Sequence, residues 1–226
     1  MAHDKSDDKL AIYRSGEVAA SYDRRWRGSS GRARDQRKQR ALGRALEHFD
    51  GARSVLDVPC GTGRFHDLFA SRGWRYCGAD AASAMLTVAR EKCGTSNWIA
   101  GDLTRLPFAD RSFDLALCIR LMHLVRDERL REAFLAELAR VSRIGVIVDY
   151  RQDQALRVWL GNARAKLGLR AKRPGALPLE HIRREVESSG LAVREFVPVR
   201  RVPYLSDKIV VVALHRATPS APAPRP

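Results

Sequence analysis

The 226-residue sequence predicts an α/β fold: a doubly wound, mostly parallel seven-stranded sheet with helices on both faces and an antiparallel closing strand pair. Between Arg53 and Tyr150, short apolar runs of strand length alternate with helically spaced segments, a rhythm produced by parallel strands buried on both faces. A Gly-x-Gly turn follows the first of those runs directly. Two more apolar runs near the C-terminus stand close together with no helix between them, which suits an antiparallel pair.

In chain order, "RSVLDV" from Arg53 reads as the first buried strand, and Arg64 to Arg72 as the helix after it. "RYCGAD", ending at Asp80, is the second strand, Ser83 to Lys92 the second helix, and "NWIAGD", ending at Asp102, the third strand of a βαβαβ unit. "FDLALCI" from Phe113 supplies the fourth. The segment from Asp127 to Arg140 carries Leu130, Phe134, Leu135 and Leu138 at helical spacing, and "IGVIVDY" ends the fifth strand at Tyr150. After it, Leu156, Trp159, Leu160, Ala163 and Leu167 fall on one helical face while Arg157, Arg164, Lys166 and Arg170 do not, the pattern of a basic amphipathic insertion. A helix from Leu179 to Ser189, ended by Gly190, then leads to the closing pair "LAVREFVPV" and "KIVVVALH". There is no internal repeat.

This length suits one domain that buries roughly 70–75% of its unfolded surface. We assign 13–216 to that domain, with 13–48 a basic N-terminal lid and 151–177 the basic insertion. Residues 1–12 and 217–226 have the composition of disordered ends. The start "MAHDKSDDKL" is polar and acidic, unlike a signal peptide, and the late run "IVVVAL" falls far short of a membrane span. Cys60, Cys77, Cys93 and Cys118 form no CxxC pair, which argues against a zinc knuckle or a disulfide framework. No histidine cluster or paired carboxylate suggests a metal. The expected setting is cytoplasmic, with peripheral attachment at the inner membrane surface as the alternative.

The net charge of +15 is unevenly placed. Residues 1–44 carry 12 Lys/Arg against 6 Asp/Glu, 45–150 carry 14 against 14, and 151–226 carry 15 against 6. A codon bias toward arginine would raise it everywhere, so a neutral middle between basic flanks says something about the partner.

A strand ending in an acid, a Gly-x-Gly turn and a helix together form the general nucleotide-binding start of such a fold. The dinucleotide version puts a third glycine three residues after the second; here His66 stands there, which counts against NAD and FAD. The stretch "VLDVPCGTGRF" resembles motif I of the class I S-adenosylmethionine-dependent methyltransferases, with Pro59 in place of the first glycine. Four further stretches match in order: "GAD" at Asp80, "IAGDLTRLPFAD" around Asp102, "RSFDLALCIRLMHLV", and upstream "EVAASYDRRW". The resemblance covers Val18 to His215 and implies S-adenosylmethionine as cofactor. It implies that Asp57, Cys60, Gly61 and Gly63 shape the site of the methionine end, that Asp80 accepts from the ribose hydroxyls, that Asp102 and Leu103 lie by the adenine, and that Tyr22 belongs to a lid.

Each of these residues has a plainer reading. Asp57 and Asp102 also suit turns anchored by backbone N–H groups, Asp80 a helix cap, and Tyr22 the core. The resemblance places the loop after the fourth strand beside the transferred methyl. His123 in that loop is therefore the candidate catalytic base, against the alternative of a packed, hydrogen-bonded histidine. Candidate substrate contacts are Arg120, Tyr150, Arg151, Arg25 and Trp159, since ligands of this fold sit at the C-terminal strand edge, where the lid and insertion also lie. His181 reads as a surface residue.

Arginine's planar fork suits phosphate and carboxylate, so the expected acceptor is anionic: a small metabolite, a glycan precursor or a lipid-linked molecule, methylated on oxygen or nitrogen. RNA is the alternative partner, with Trp26 or Trp159 for stacking, and a non-catalytic RNA- or cofactor-binding module a second. A lipid-linked acceptor would explain the amphipathic insertion, whose Leu156, Trp159 and Leu160 face suits a membrane interface over 154–170.

Overall fold

A computed structural model describes residues 22–24, 28–94, 97–166, 175–200, 202 and 205–216. Its strands are β1 (Ser54–Asp57), β2 (Arg75–Asp80), β3 (Asn97–Ala100), β4 (Phe113–Cys118), β5 (Ser142–Arg151), β6 (Leu191–Pro198) and β7 (Lys208–His215). The helices are α1 (Ser29–Leu46), α2 (His66–Ala70), α3 (Ser83–Cys93), α4 (Glu128–Val141), α5 (Leu156–Lys166) and α6 (Leu179–Glu187), with short 3-10 turns at Glu47–Phe49 and Met122–Leu124.

The seven strands form one sheet in the order β3-β2-β1-β4-β5-β7-β6. Pairings from β3 through β5 are parallel, and β7 runs antiparallel between β5 and β6. The closing pair is therefore antiparallel as the sequence predicts. The last strand goes inside because "KIVVVALH" is apolar at nearly every position and can be buried on both faces, whereas β6 leaves Arg194 and Glu195 exposed at the edge.

Alternate strand residues face opposite layers. Leu56, Ala116, Cys118, Val146, Val148 and Val211 pack with Phe134, Leu135 and Leu138 of α4 and Ile182 and Val186 of α6. Val55, Leu115, Leu117, Ile147, Val210 and Val212 pack against α1, α2 and α3 on the other side. No helix among the described residues is long and apolar enough to cross a membrane.

Two expected helices are shorter than the sequence suggests. The one expected from Arg64 starts at His66, because the turn before it uses left-handed backbone at Gly61 (φ 56°) and Gly63 (φ 70°), and two more residues pass before the chain turns helical. The one expected to reach Ser189 ends at Glu187, where the Ser188 and Ser189 hydroxyls donate to the carbonyls of Glu185 and Val186.

Inside the layer of α4 and α6, Glu185 is held by Arg131, whose Nη2 donates to Oε2 at 2.6 Å and whose Nε reaches both oxygens at 3.0 Å. The Tyr150 hydroxyl also donates to Glu185. These groups are buried, so each side chain here supplies what its neighbours lose on leaving water.

Candidate active-site cleft

A cleft opens at the C-terminal edge of β1, β2 and β4, where parallel strands end and helices begin. Its floor is the turn after β1: Val58, Pro59, Cys60, Gly61, Arg64 and Phe65 line it, and the Val58–Pro59 peptide is cis. A Cβ at Gly61 would meet nothing within 4 Å, so this glycine leaves open space over the turn. The Asp80 carboxylate, at the end of β2, ties the turn down: Oδ2 accepts from Gly61 N at 2.8 Å and Oδ1 from Ala82 N at 2.8 Å. Burial raises its pKa, against those backbone donors. Asp80 thus faces the cleft while anchoring the backbone on either side of it, but it is not the helix cap that its plainer reading suggests, since the N-cap of α3 is Ala82, with no side-chain cap bond.

Asp102 and Leu103 also line the cleft. Asp102 Oδ1 accepts from the backbone and hydroxyl of Thr104 at 2.8 and 2.9 Å, which makes it a turn former as well. Tyr22 lines the opposite wall, 5.6 Å beneath the Arg120 guanidinium and packed with Ala82 and Met85. Next to it, Asp23 accepts from Thr62 Oγ1 at 2.7 Å and from Lys92 Nζ at 3.0 Å, pinning residues 22–24 onto the glycine turn.

Two of the expected cofactor residues lie elsewhere. Asp57 is buried beneath the turn, its Oδ2 accepting from the Tyr76 hydroxyl at 2.7 Å, and it does not line the cleft. Burial raises its pKa to about 7, and its Oδ1 has no hydrogen-bond partner among the described residues. Gly63 faces inward: a Cβ there would lie 2.6 Å from the Trp98 ring and 2.9 Å from Cys93 Sγ, so glycine is needed for packing of the turn on β3 and α3.

The other side of the cleft is the loop after β4, with Ile119, Arg120, Leu121, His123 and Leu124, closed by Phe134 of α4. Arg120 has φ 75°, a left-handed conformation that costs a non-glycine residue on the order of 1–2 kcal/mol. A carboxylate holds it there: Arg120 N donates to Asp149 Oδ1 at 2.6 Å, while Lys38 Nζ of α1 donates to Asp149 Oδ2 at 2.6 Å. Burial pushes Asp149 up, but Lys38, His123 and the hydrogen bonds outweigh it and hold the pKa at about 2. Burial lowers His123 to about 4 despite Asp149, with Lys208, Lys38 and Arg120 acting in the same direction as burial, so its imidazole is neutral at pH 7. Arg64, on the cleft wall next to the glycine turn, pairs with Asp35 of α1.

Three expected substrate contacts are not at the cleft. Tyr150 is 1% exposed and spends its hydroxyl on Glu185, because the side chain at the end of β5 points into the layer of α4 and α6. Arg151 pairs with Asp207 at 3.2 Å, and Trp159 is 64% exposed on α5 without lining the cleft. Arg25 and Trp26, with 1–12 and 217–226, lie outside the described residues. Sequence reading missed Arg64 and Asp149. Arg64 follows Gly63 directly and was legible there; Asp149 is one residue before Tyr150, and strand alternation alone turns it toward the cleft side.

His181 is likewise no isolated surface histidine: Nε2 lies 3.2 Å from Glu128 and 3.5 Å from Glu185. Three potential ligand atoms thus converge, yet Glu185 already neutralises Arg131.

Residues 55–145 match the family model described as a methyltransferase domain. A malonyl-[acyl-carrier protein] O-methyltransferase of Serratia marcescens is 33% identical over 110 residues, which are 49% of this chain and 41% of that protein. A demethylmenaquinone methyltransferase of Renibacterium salmoninarum is 32% identical over 153 residues, 63% of this chain and 57% of that one. The chain spans about half the length of these relatives. The crystal structure of magnesium protoporphyrin IX methyltransferase from Synechocystis with bound S-adenosylhomocysteine superposes with a TM-score of 0.70 at 17% identity, covering 91% of this chain and 99% of that one. The 1,6-didemethyltoxoflavin-N1-methyltransferase of Burkholderia thailandensis gives 0.65 at 17% identity, over 95% and 92%. The glycine turn and the acid that ties it down thus lie within the stretch that matches the methyltransferase domain, and the seven-stranded sheet as a whole shares its fold with these solved methyltransferase structures.

Proposed function

We propose that the protein moves the methyl group of S-adenosylmethionine to an oxygen or nitrogen of an anionic acceptor, one bearing phosphate or carboxylate. The observation that carries this reading is the Arg120 guanidinium on the wall of an otherwise largely apolar cleft, where Arg64 is already paired with Asp35. The malonyl group in one relative's name is itself an anionic acyl group.

The residues present fit the cofactor. Gly61 leaves open space above the turn, and Asp80 sits at the cleft with lone pairs beyond those its backbone donors use. Asp80 would hold the ribose hydroxyls, Asp102 and Leu103 the adenine edge, Cys60 and Gly61 the methionine end, with Tyr22 above. Bound there, S-adenosylmethionine supplies a methyl already activated for in-line attack.

The chain's own work is to place the acceptor. Arg120 draws in its anion, and Leu121, Leu124 and Phe134 keep water from the reacting end. Holding two reactants in line is worth on the order of 7–11 kcal/mol at best. His123, kept neutral by burial, takes the proton of an acceptor that must lose one, a role worth roughly 10²- to 10⁴-fold.

The test is transfer of labelled methyl from S-adenosylmethionine into fractions of a cell extract, with Asp80→Ala as the blank. Label in small anionic, glycan or lipid fractions supports the reading. Ribonuclease-sensitive label replaces the acceptor with RNA, and cofactor binding without any transfer means a non-catalytic module. Once an acceptor is in hand, His123→Asn lowers the rate by about 10²-fold or more, and the wild-type rate stays flat down to about pH 5 before falling toward the low pKa of His123. An acid limb near pH 6.5 that survives the substitution removes His123 from the chemistry.

A further inference from the structure

Among the described residues, the large apolar side chains left exposed are Leu156 (49%), Trp159 (64%), Leu160 (42%), Val202 (52%) and Leu205 (46%). They come from two separate segments. Leu156, Trp159 and Leu160 stand at i, i+3 and i+4 on one face of α5, and Val202 and Leu205 lie between β6 and β7.

Both segments leave the sheet from one knot. Arg151, the last residue of β5, pairs with Lys208, the first of β7. Gln152 donates through its backbone N to Asp207 O at 3.0 Å and through Nε2 to Ser206 O at 2.6 Å, and Arg200 N donates to Ser206 Oγ at 3.1 Å. The knot lies at the C-terminal edge of the parallel strands, the edge that carries the cleft. On the returning side of the insertion, Leu177 N donates to Arg151 O at 2.9 Å, and a Cβ at Gly175 would lie 2.5 Å from the carbonyl oxygen of His123. The end of the segment that carries α5 therefore returns against the loop after β4.

The sequence around this face is basic. Residues 151–177 contain seven Lys/Arg against one Asp/Glu, and Arg164 and Arg200 are exposed. Such charge argues against a second copy of the chain as the occupant, since two like-charged faces would repel. Its aliphatic content argues against nucleic acid, where stacking rings and phosphate contacts carry affinity. Aliphatic and indole groups on segments of basic sequence, with Arg164 and Arg200 exposed, match an anionic bilayer, where apolar groups enter the headgroup boundary and cations meet its negative surface.

We propose that this face docks the protein on an anionic membrane surface, with Leu156, Trp159, Leu160, Val202 and Leu205 in the interface and the cleft mouth beside it. The inference is independent of which acceptor is methylated.

The test is co-sedimentation of the full chain with vesicles of phosphatidylcholine, with and without phosphatidylglycerol, beside calorimetric binding of S-adenosylhomocysteine as a check on folding. The expected result is pelleting with the anionic vesicles only, weakened by salt, with affinity reduced about tenfold or more in Trp159→Glu/Leu160→Glu and again in Leu205→Glu, while S-adenosylhomocysteine binding is kept. Absence of wild-type pelleting overturns the proposal, as does pelleting that the folded variants retain. A wild-type dimer that Leu160→Glu converts to monomer overturns it in favour of a self-interface. Failure here leaves methyl transfer untouched, because that is read on a separate assay.

Discussion

Two buried aspartates near the cleft, Asp57 at the end of β1 and Asp149 near the end of β5, are each 1% exposed and sit two strands apart in the sheet, yet their carboxyls are pushed in opposite directions. Asp57 has a neutral phenol for a partner and Asp80 as a neighbour, so burial drives it up to about 7. Asp149 has the Lys38 ammonium and a backbone N–H, and falls to about 2. Burial is the same cost for both; partner charge decides the sign. The cleft is divided likewise. Its β1 and β2 side presents Asp80, whereas its β4 side presents Arg120, whose backbone is held by Asp149 with Lys38 and Lys208 around that one carboxylate.

The largest break in that contrast comes from removing the cation. Lys38→Met leaves Asp149 buried without its counter-ion and should cost about 3–5 kcal/mol in chemical denaturation, most of it recovered in Lys38→Met/Asp149→Leu. Equal losses in both variants would mean that the ion pair is not what holds α1 over this edge.

The two carboxyls should also give opposite pH responses. Asp149's low pKa adds stability above about pH 4 that disappears as pH falls toward 2. Asp57's raised pKa favours the protonated carboxyl in the fold, so stability falls as pH rises from about 4 to about 7, by at most about 1.4 kcal/mol per pH unit. His123, lowered to about 4, runs the other way between pH 4 and 6.5, so the Asp57 effect is read as the difference between wild type and Asp57→Asn. A difference that does not change from pH 5 to pH 8 would mean that Asp57 is ionised throughout.

On the β4 side, Arg120→Gly keeps the left-handed backbone and deletes the guanidinium. We expect the acceptor's KM to rise about tenfold or more while S-adenosylhomocysteine affinity changes little, measured by steady-state kinetics and calorimetry. The smallest effect expected is for Tyr150→Phe. It removes one hydrogen bond to Glu185, costing about 1 kcal/mol of stability, with the transfer rate unchanged; a large rise in KM would return Tyr150 to the acceptor site.

Much of this molecule follows from local pattern. Apolar runs of strand length and the glycine turn gave the βαβαβ start, and helical spacing gave α4 after it, because burial on both faces and a left-handed turn are demands that single residues must meet where they stand. The resemblance of the motifs pointed to Asp80, Gly61, Leu103 and His123, and the structure finds all four lining the cleft, at the C-terminal ends of the parallel strands where such a sheet opens. The tertiary structure alone decided which neighbours those residues meet. Tyr150 went to Glu185 and not to an acceptor, Gly63 to the Trp98 ring, and Asp149 to a lysine 111 positions away in the chain. Pattern records which side of a strand a residue faces, but the charge and hydrogen-bond partners that set its chemistry come from segments remote in sequence, and only folding brings them within reach.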